Sequence, residues 1–319
     1  MIEKTDHRVA SHCGDYQLLL RNKRLAGNGA PQADKTVLFV HGATYGSTDT
    51  VDYAPKDQSW LDVLALQGFD AWCIDLLGYG QSDRPAEMNQ TAEGHDPLVD
   101  TAFAVADVHQ AVTFIRSLRQ VEGLNLIGYS WGTAICGSYA GQYPQSVIKL
   151  VLYGALWIEG LAPSGDSPGR IGAYRTVDPA SMMTRWSIGL DSSDVDRVVS
   201  EQERLRWCEQ TAGCDSHYAS TGLLRAPTGV MKDYAQCRES GLDWYDPSLV
   251  RAPVQIVVGA WDAETTPAQG QRLFERLTHA PTKQMTIIGE GTHSLLLERN
   301  RHQLHSVVHQ FLLSCRQVP

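Results

Sequence analysis

Short, nearly continuous hydrophobic runs recur along the chain, and they alternate with segments in which apolar residues lie three or four positions apart. A continuous apolar run bounded by turn residues is typical of a strand that is buried on both faces of a parallel sheet. The spacing of Val105, Val108 and Val112 instead predicts an amphipathic helix over residues 101–118. Alternating strands and helices indicate an α/β fold, with a mostly parallel central sheet covered by helices on both faces. The predicted strands are residues 16–25, 36–40, 71–75, 124–127, 147–153, 254–259 and 284–288.

The pattern changes between residues 157 and 249. Glycine, proline, serine and aspartate cluster at 162–169, and polar sequence of helical character follows, without a run that is typical of a buried strand. A chain of 319 residues is also long for one simple core. We therefore predict that residues 1–156 and 250–319 form the core, and that residues 157–249 form a mainly helical cap inserted between two core strands.

The motif Gly-Tyr-Ser-Trp-Gly at residues 128–132 joins a predicted strand directly to a helix. A turn this sharp forces the serine into a strained backbone conformation, and side chains at the two glycine positions would collide with the strand and the helix. The turn would hold the Ser130 hydroxyl above the carboxyl edge of the sheet and point the amide N–H of Trp131 at the group that the hydroxyl attacks. Ser130 is therefore the candidate nucleophile. Because the motif also arises by chance, this assignment depends on finding a base, an acid and oxyanion donors at the same sheet edge.

Three further segments supply groups at the same sheet edge. Ala43 follows a His-Gly turn at the end of one predicted strand, so its amide N–H is a candidate second oxyanion donor. Asp262 follows another strand, and His293 lies in the glycine-rich turn after the last one. Glu290 competes with Asp262 as the partner of His293, but its place on the same tight turn points it elsewhere. The order Ser, Asp, His along the chain is the one that a catalytic triad takes on an α/β-hydrolase sheet.

These motifs resemble those of the α/β-hydrolase superfamily, in particular its members with an inserted cap. The resemblance implies a serine hydrolase that uses Ser130, Asp262 and His293 as a catalytic triad. The amides of Ala43 and Trp131 would form its oxyanion hole. Superfamily dehalogenases and epoxide hydrolases have aspartate at the position of this serine, which argues against those activities. The resemblance spans roughly residues 16–315 and rests on the His-Gly turn at 41–42, the stretch DLLGYGQSDRP at 75–85, the serine turn, the stretch 259–267 and His293.

The substrate is less determined than the chemistry. We expect a small or medium carboxylic ester or lactone, cleaved through an acyl-enzyme on Ser130. A second hypothesis is an aminopeptidase similar to the proline iminopeptidases, which also have tryptophan after the nucleophile and a large cap. Glu201, Glu203 or Glu209 would then bind the free amine. A third is a hydrolase of carbon–carbon bonds in ring-cleavage products, and a fourth is a non-catalytic ligand receptor, which would have little need of all three triad positions.

Candidate substrate-binding residues come from two segments. The loop 44–59 is long for a compact domain, and such loops often form functional rims, so Thr44 and Tyr45 are candidates. The predicted cap is rich in aromatic residues, which either roof an apolar pocket or pack the cap onto the core. We expect the cap to determine selectivity rather than chemistry. Its candidate pocket residues are Trp186, Trp207 and Trp244.

Composition narrows the classes of partner. A net charge of −9 and a pI near 5.6 leave no basic stripe for nucleic acid. Residues 1–8 lack the apolar core of a secretory signal, and no apolar run approaches the ~20 residues that a membrane helix needs. The seven cysteines are odd in number and form no C-x-x-C pair, as in a reduced protein. We therefore expect a cytoplasmic monomer or homodimer that binds a small acyl substrate and neither nucleic acid nor a membrane.

The last predicted helix carries His302, His305 and His309 on one face. Such a cluster suggests a metal site, but apolar residues form the opposite stripe of this helix. We therefore expect the three histidines to face solvent. No other spacing of two histidines and a carboxylate suits a metal ion, so we expect neither a metal nor a cofactor.

Overall fold

The computed structural model describes residues 1–27, 29–157 and 170–314. The strands in these residues are β1 (Ile2–Ala10), β2 (Gln17–Leu25), β3 (Thr36–Val40), β4 (Asp70–Asp75), β5 (Leu124–Tyr129), β6 (Val147–Tyr153), β7 (Tyr174–Val177), β8 (Leu224–Pro227), β9 (Val254–Gly259) and β10 (Lys283–Ile288). The α-helices are α1 (Trp60–Leu66), α2 (Thr101–Arg119), α3 (Trp131–Gln142), α4 (Pro179–Trp186), α5 (Ser192–Val198), α6 (Glu201–Ala212), α7 (Tyr218–Thr221), α8 (Gly229–Ser240), α9 (Pro267–Arg276) and α10 (Arg301–Leu313).

Eight strands form one sheet in the order β1-β2-β4-β3-β5-β6-β9-β10. β2 pairs antiparallel with both β1 and β4, whereas all other neighbours are parallel. Side chains of β3 alternate between two hydrophobic clusters, with Leu38 and Val40 on one face of the sheet and Val37 and Phe39 on the other. Helices α2, α3 and α9 contribute to the first cluster, and α1 and α10 to the second. The predicted fold class is confirmed.

The N-terminal strand β1 is missing from the sequence-based prediction. Most of its residues are polar, and Val9 alone is buried, so the strand lacks an apolar run. What holds it is the antiparallel ladder with β2, which extends from Ile2 opposite Leu25 to Ala10 opposite Gln17. Backbone pairing with the next strand of the chain therefore forms this edge strand, and the hydrophobic pattern does not reveal it.

The expectation that all three histidines of α10 face solvent is wrong. His305 is buried, and its ring stacks on that of Trp60 with a centroid distance of 5.0 Å, because α10 packs against α1. Within the described chain, neither ring nitrogen of His305 has a hydrogen-bond partner. Burial lowers the pKa of His305 to about 3, so this imidazole is neutral near physiological pH.

Residues 170–249, called the cap segment below, lie in sequence between β6 and β9. They contain helices α4 to α8 and one feature that the sequence did not predict, the antiparallel pair β7–β8. β8 is buried throughout, but it includes Arg225, which bonds Asp215 at 2.7 Å and 2.9 Å, so a charge interrupts its apolar pattern. The glycine- and proline-rich stretch 162–169 lies outside the described residues. Among those that are described, no helix is long and apolar enough to cross a bilayer.

Candidate active site

Ser130 lies in the turn between β5 and α3 with φ 54° and ψ −121°, a region that residues other than glycine rarely occupy. The flanking glycines permit this turn. A Cβ atom on Gly128 would lie 2.4 Å from the carbonyl oxygen of Gly132, and one on Gly132 would lie 2.2 Å from that of Val40. The tight turn that the motif predicts therefore causes the strained backbone of Ser130. The side chain of Ser130 lies beside a cavity at the carboxyl edge of the sheet.

The hydroxyl of Ser130, the imidazole of His293 and the carboxylate of Asp262 form one continuous hydrogen-bonded chain. The distance from Ser130 Oγ to His293 Nε2 is 2.9 Å, and that from His293 Nδ1 to Asp262 Oδ2 is 2.8 Å. The three residues follow β5, β10 and β9, whose carboxyl ends lie at one edge of the sheet. All three are buried. The structure thus brings together the three groups that the sequence predicts as a triad.

The loop after β9 fixes the carboxylate of Asp262. Its Oδ1 accepts the amide N–H groups of Glu264 at 2.9 Å and Thr265 at 2.8 Å, and its Oδ2 accepts the Thr265 hydroxyl at 2.8 Å. Burial acts to raise the pKa of Asp262, but His293 and these hydrogen bonds outweigh it and lower that pKa. Burial likewise disfavours the charged ring of His293, yet the carboxylates of Asp262 and Glu264 raise its pKa above the usual value. The site is therefore suited to an imidazolium.

Two tyrosines that the sequence analysis missed hold His293 in place. The carbonyl oxygen of His293 accepts the hydroxyl of Tyr129 at 3.0 Å and that of Tyr153 at 2.8 Å. Tyr129 and Tyr153 are register partners at the ends of β5 and β6, and their rings stack with a centroid distance of 4.9 Å. A tyrosine at the end of each of two adjacent strands is the one signal in the sequence that points to this arrangement.

The two predicted oxyanion donors belong to two segments that adjoin Ser130. Ala43 lines the same cavity, and the turn before it is so close that a Cβ atom on Gly42 would lie 2.8 Å from the Ser130 Cβ. Trp131 is the first residue of α3, where amide N–H groups have no acceptor within the helix and the helix dipole favours negative charge. Its side chain points into the core and donates to the Thr101 hydroxyl at 2.9 Å. The assignment of both amides as oxyanion donors stays a prediction.

Three of the five predicted substrate-binding residues line the cavity beside Ser130: Tyr45, Trp186 and Trp207. Thr44 is buried next to it, and its hydroxyl is a hydrogen-bond acceptor for two arginines. The prediction for Trp244 is wrong. Its indole N–H donates to the Thr101 hydroxyl at 2.8 Å, and because this bond holds the ring at the start of α2, the ring lines a separate surface groove.

A partly buried ion pair at the cavity was also missed by the sequence analysis. Arg185 of α4 binds Glu264 through two contacts, Nε to Oε1 at 2.9 Å and Nη2 to Oε2 at 2.5 Å. Both side chains line the cavity together with Ser130 and His293. Burial acts to raise the pKa of Glu264, but His293 and Arg185 lower it below its usual value, so this carboxylate is charged.

The acidic residues proposed as an amine clamp lie elsewhere. Glu201 and Glu209 are exposed on α6. Glu203 accepts the Tyr53 hydroxyl at 3.0 Å and pairs with Arg206 at 2.8 Å. None of the three is among the described residues that line the cavity. The structure therefore does not bring these carboxylates to the nucleophile.

A comparison of the chain with models of protein families identifies its family. The family model described as alpha/beta hydrolase fold matches residues 35–300. The chain belongs to the α/β-hydrolase family. This assignment agrees with the sheet order and with the serine turn, and it leaves the substrate open.

The chain is similar to two named proteins and to a solved structure. Protein ABHD8 of Bos taurus is 26% identical over 295 residues, which cover 91% of this chain and 59% of that protein, so the chain spans less than two thirds of this relative. A Bacillus subtilis protein that carries the provisional name 2-succinyl-6-hydroxy-2,4-cyclohexadiene-1-carboxylate synthase is 25% identical, covering 89% of this chain and 92% of its own. A crystal structure of a serine hydrolase involved in carbazole degradation superposes with a TM-score of 0.65 at 16% identity, over 97% of this chain and 99% of that one, and shows the shared fold.

Proposed function

We propose that this protein is a serine hydrolase that cleaves a small carboxylic ester or lactone through an acyl-enzyme on Ser130. The observation that carries the proposal is the buried chain of hydrogen bonds from Asp262 through His293 to Ser130, at 2.8 Å and 2.9 Å, beside a cavity. A nucleophile within reach of a base that is itself oriented by a third group is the signature of nucleophilic catalysis.

The geometry supports the following sequence of steps. His293 Nε2 takes the proton of Ser130 as the oxygen attacks the acyl carbonyl, and the imidazolium is stabilised by Asp262. The amides of Ala43 and Trp131 receive the oxyanion, each contributing about 10²–10³ in rate. His293 then gives its proton to the leaving alcohol, and water repeats the cycle on the acyl-enzyme. These steps use side chains and amides of the chain itself.

The surroundings of Ser130 favour an acyl substrate over a free amine. Among the described residues that line the cavity, Glu264 is the one carboxylate, and it is already bound by Arg185. The three glutamates of α6 lie away from the cavity, so an amine clamp has no support. Hydrolysis of carbon–carbon bonds is an alternative proposal, because a hydrolase of 2-hydroxy-6-oxo-6-phenylhexa-2,4-dienoate has the same fold.

A labelling experiment tests the nucleophile separately from the substrate. A small fluorophosphonate should form one adduct, which peptide mass spectrometry should locate on Ser130, and Ser130→Ala should remain unlabelled while it stays folded. In parallel, a panel of p-nitrophenyl esters, lactones and amino-acid anilides should show turnover of esters or lactones, with kcat lower by about 10⁴–10⁶ in Ser130→Ala. An adduct on another serine would contradict the mechanism, and turnover of anilides alone would contradict the substrate class.

A further inference from the structure

Two arginines of the cap segment meet directly beside the proposed oxyanion hole. Arg175 of β7 and Arg185 of α4 both direct guanidinium N–H groups to the hydroxyl oxygen of Thr44, Arg185 Nη1 at 3.4 Å and Arg175 Nη2 in closer contact. Thr44 follows Ala43 in the chain, and consecutive Cα atoms are about 3.8 Å apart. The two guanidinium groups therefore lie beside the segment that carries the proposed oxyanion donor, the amide of Ala43.

Around the Thr44 hydroxyl, the positive charge of the two arginines exceeds the negative charge of the carboxylates paired with them. Glu264 neutralises Arg185, as described above. Arg175 forms no ion pair within the described chain, and its Nη1 is shielded from solvent without a hydrogen-bond partner. Burial, reinforced by the neighbouring charge of Arg185, lowers the pKa of Arg175. A buried guanidinium without an anion is costly, since buried charges in proteins are usually paired.

The backbone places Arg175 and Thr44 firmly. Arg175 lies opposite Ala226 in the β7–β8 ladder. β8 ends at Pro227, which packs so tightly on the turn after β4 that a Cβ atom on Gly78 would lie 2.5 Å from the Pro227 ring. Thr44 has φ 85°, a conformation that glycine takes freely and that costs other residues about 1–3 kcal/mol. A threonine at such a position indicates that its hydroxyl has a role that glycine could not fill, which here is to accept hydrogen bonds from the two arginines.

We propose that Arg175 and Arg185, joined by the Thr44 hydroxyl, form a subsite for a carboxylate carried by the acyl substrate. This inference rests on the proposed function and specifies its substrate. The planar guanidinium matches a carboxylate through paired N–H donors. One uncompensated arginine balances a monoanion, whereas a phosphate would bring a charge of about −1.5 to −2. Met182, Trp186 and Trp207 line the cavity together with Arg185, and they suit a hydrocarbon chain between the ester and the carboxylate.

Esters that differ in charge at similar length test the subsite. The substrates are the monomethyl esters of succinate, glutarate and adipate, each compared with the neutral methyl ester of similar length, such as methyl hexanoate for glutarate. Hydrolysis is followed by pH-stat titration. The wild-type protein should prefer at least one anionic ester, and Arg175→Met should lower the ratio of kcat/KM values, anionic over neutral, by about 10–100-fold, the size expected for a charge-assisted hydrogen bond. Arg206→Met, which removes an exposed cap arginine, should keep the wild-type ratio.

A binding measurement separates this inference from the proposed hydrolase activity. Glutarate should bind the wild-type protein in isothermal titration calorimetry, and Arg175→Met should bind it at least tenfold more weakly. Should Ser130 resist labelling and no ester be cleaved, the hydrolase proposal fails, and glutarate binding still decides whether the subsite exists. No binding of glutarate, equal binding by Arg175→Met, or binding of inorganic phosphate in its place would overturn the carboxylate assignment. If Arg175→Met does not fold, Arg175→Lys, which keeps the charge but loses the paired donors, should show a smaller loss in the same comparison.

Discussion

Removing the two tyrosine hydroxyls that hold His293 should destabilise the protein non-additively. In Tyr129→Phe, the His293 carbonyl keeps its bond from Tyr153, so the loss is one neutral hydrogen bond, about 0.5–1.5 kcal/mol. Tyr153→Phe also removes the acceptor of the Leu296 amide N–H, which lies 3.2 Å from the Tyr153 oxygen in a buried segment. An unsatisfied buried donor adds about 1–3 kcal/mol. Tyr153→Phe should therefore be the less stable of the two single variants.

The double variant leaves the buried carbonyl of His293 without either hydroxyl. The decrease in its free energy of unfolding should exceed the sum of the two single losses by about 1 kcal/mol or more, because only the double variant leaves this acceptor unsatisfied. Phenylalanine keeps both aromatic rings, which stack at 4.9 Å, so lost packing contributes little. Tyr245→Phe is a matched control, since Tyr245 is buried and its hydroxyl has no partner among the described residues.

Urea denaturation at pH 7.5 measures the stabilities of the wild type, both single variants, the double variant and the control. Since the tyrosine hydroxyls act on the position of His293 rather than on the substrate, the double variant should also lose roughly 10–100-fold in kcat with little change in KM. Losses that add within about 0.3–0.5 kcal/mol, or a larger loss in Tyr129→Phe than in Tyr153→Phe, would refute the reasoning.

Three further changes test the charges of individual groups. Asp262→Asn should lower kcat by up to roughly 10⁴, because the imidazole of His293 loses the carboxylate that selects its tautomer; wild-type kcat in this variant would contradict the assignment. Catalysis needs neutral His293 and is lost as the pH falls through its raised pKa, so Glu264→Gln, which removes one cause of that rise, should move the acid limb of kcat/KM to lower pH; an unchanged or higher limb counts against it. The pKa of His305 is about 3 in the folded protein and 6.5 ordinarily, so the neutral ring contributes its full stabilisation above pH 6.5. As the pH falls below 6.5, the free energy of unfolding decreases by up to about 1.4 kcal/mol per pH unit. Urea denaturation at pH 7 and at pH 5 should show a smaller decrease between the two for His305→Phe than for the exposed control His302→Phe.

The triad residues that the sequence located share one property: each lies in the turn after a predicted strand. Ser130, Asp262 and His293 could be assigned because parallel strands end at one edge, so that the order of elements along the chain predicts which groups meet. The residues that were missed act across the chain. Arg185 and Glu264 are 79 positions apart, and no local pattern links them. Composition marked the cap tryptophans as a group, but only the path of the chain decides which of them face the cavity.

Hydrogen bonds link helix α4 of the cap segment to two core loops, one that carries Asp262 and one that carries His293. Arg185 binds Glu264, whose amide N–H donates to Asp262. The next residue, Trp186, donates its indole N–H to Glu298 at 2.8 Å. Glu298 in turn accepts the amide N–H of Thr292, the neighbour of His293, at 3.0 Å. Arg185 and Trp186 are therefore linked, each through one glutamate, to the loops that carry Asp262 and His293.

These contacts revise the expectation that the cap determines selectivity while the core determines chemistry. A cap residue whose bonds end on the acid loop should affect the reactivity of Ser130 even towards a reagent too small to need a substrate pocket. Arg185→Met should therefore slow the labelling of Ser130 by a small fluorophosphonate, whereas Arg206→Met, on an exposed face of the same segment, should not. Equal labelling rates in the two variants would mean that α4 closes the cavity without supporting the base, and the original division between cap and core would then hold.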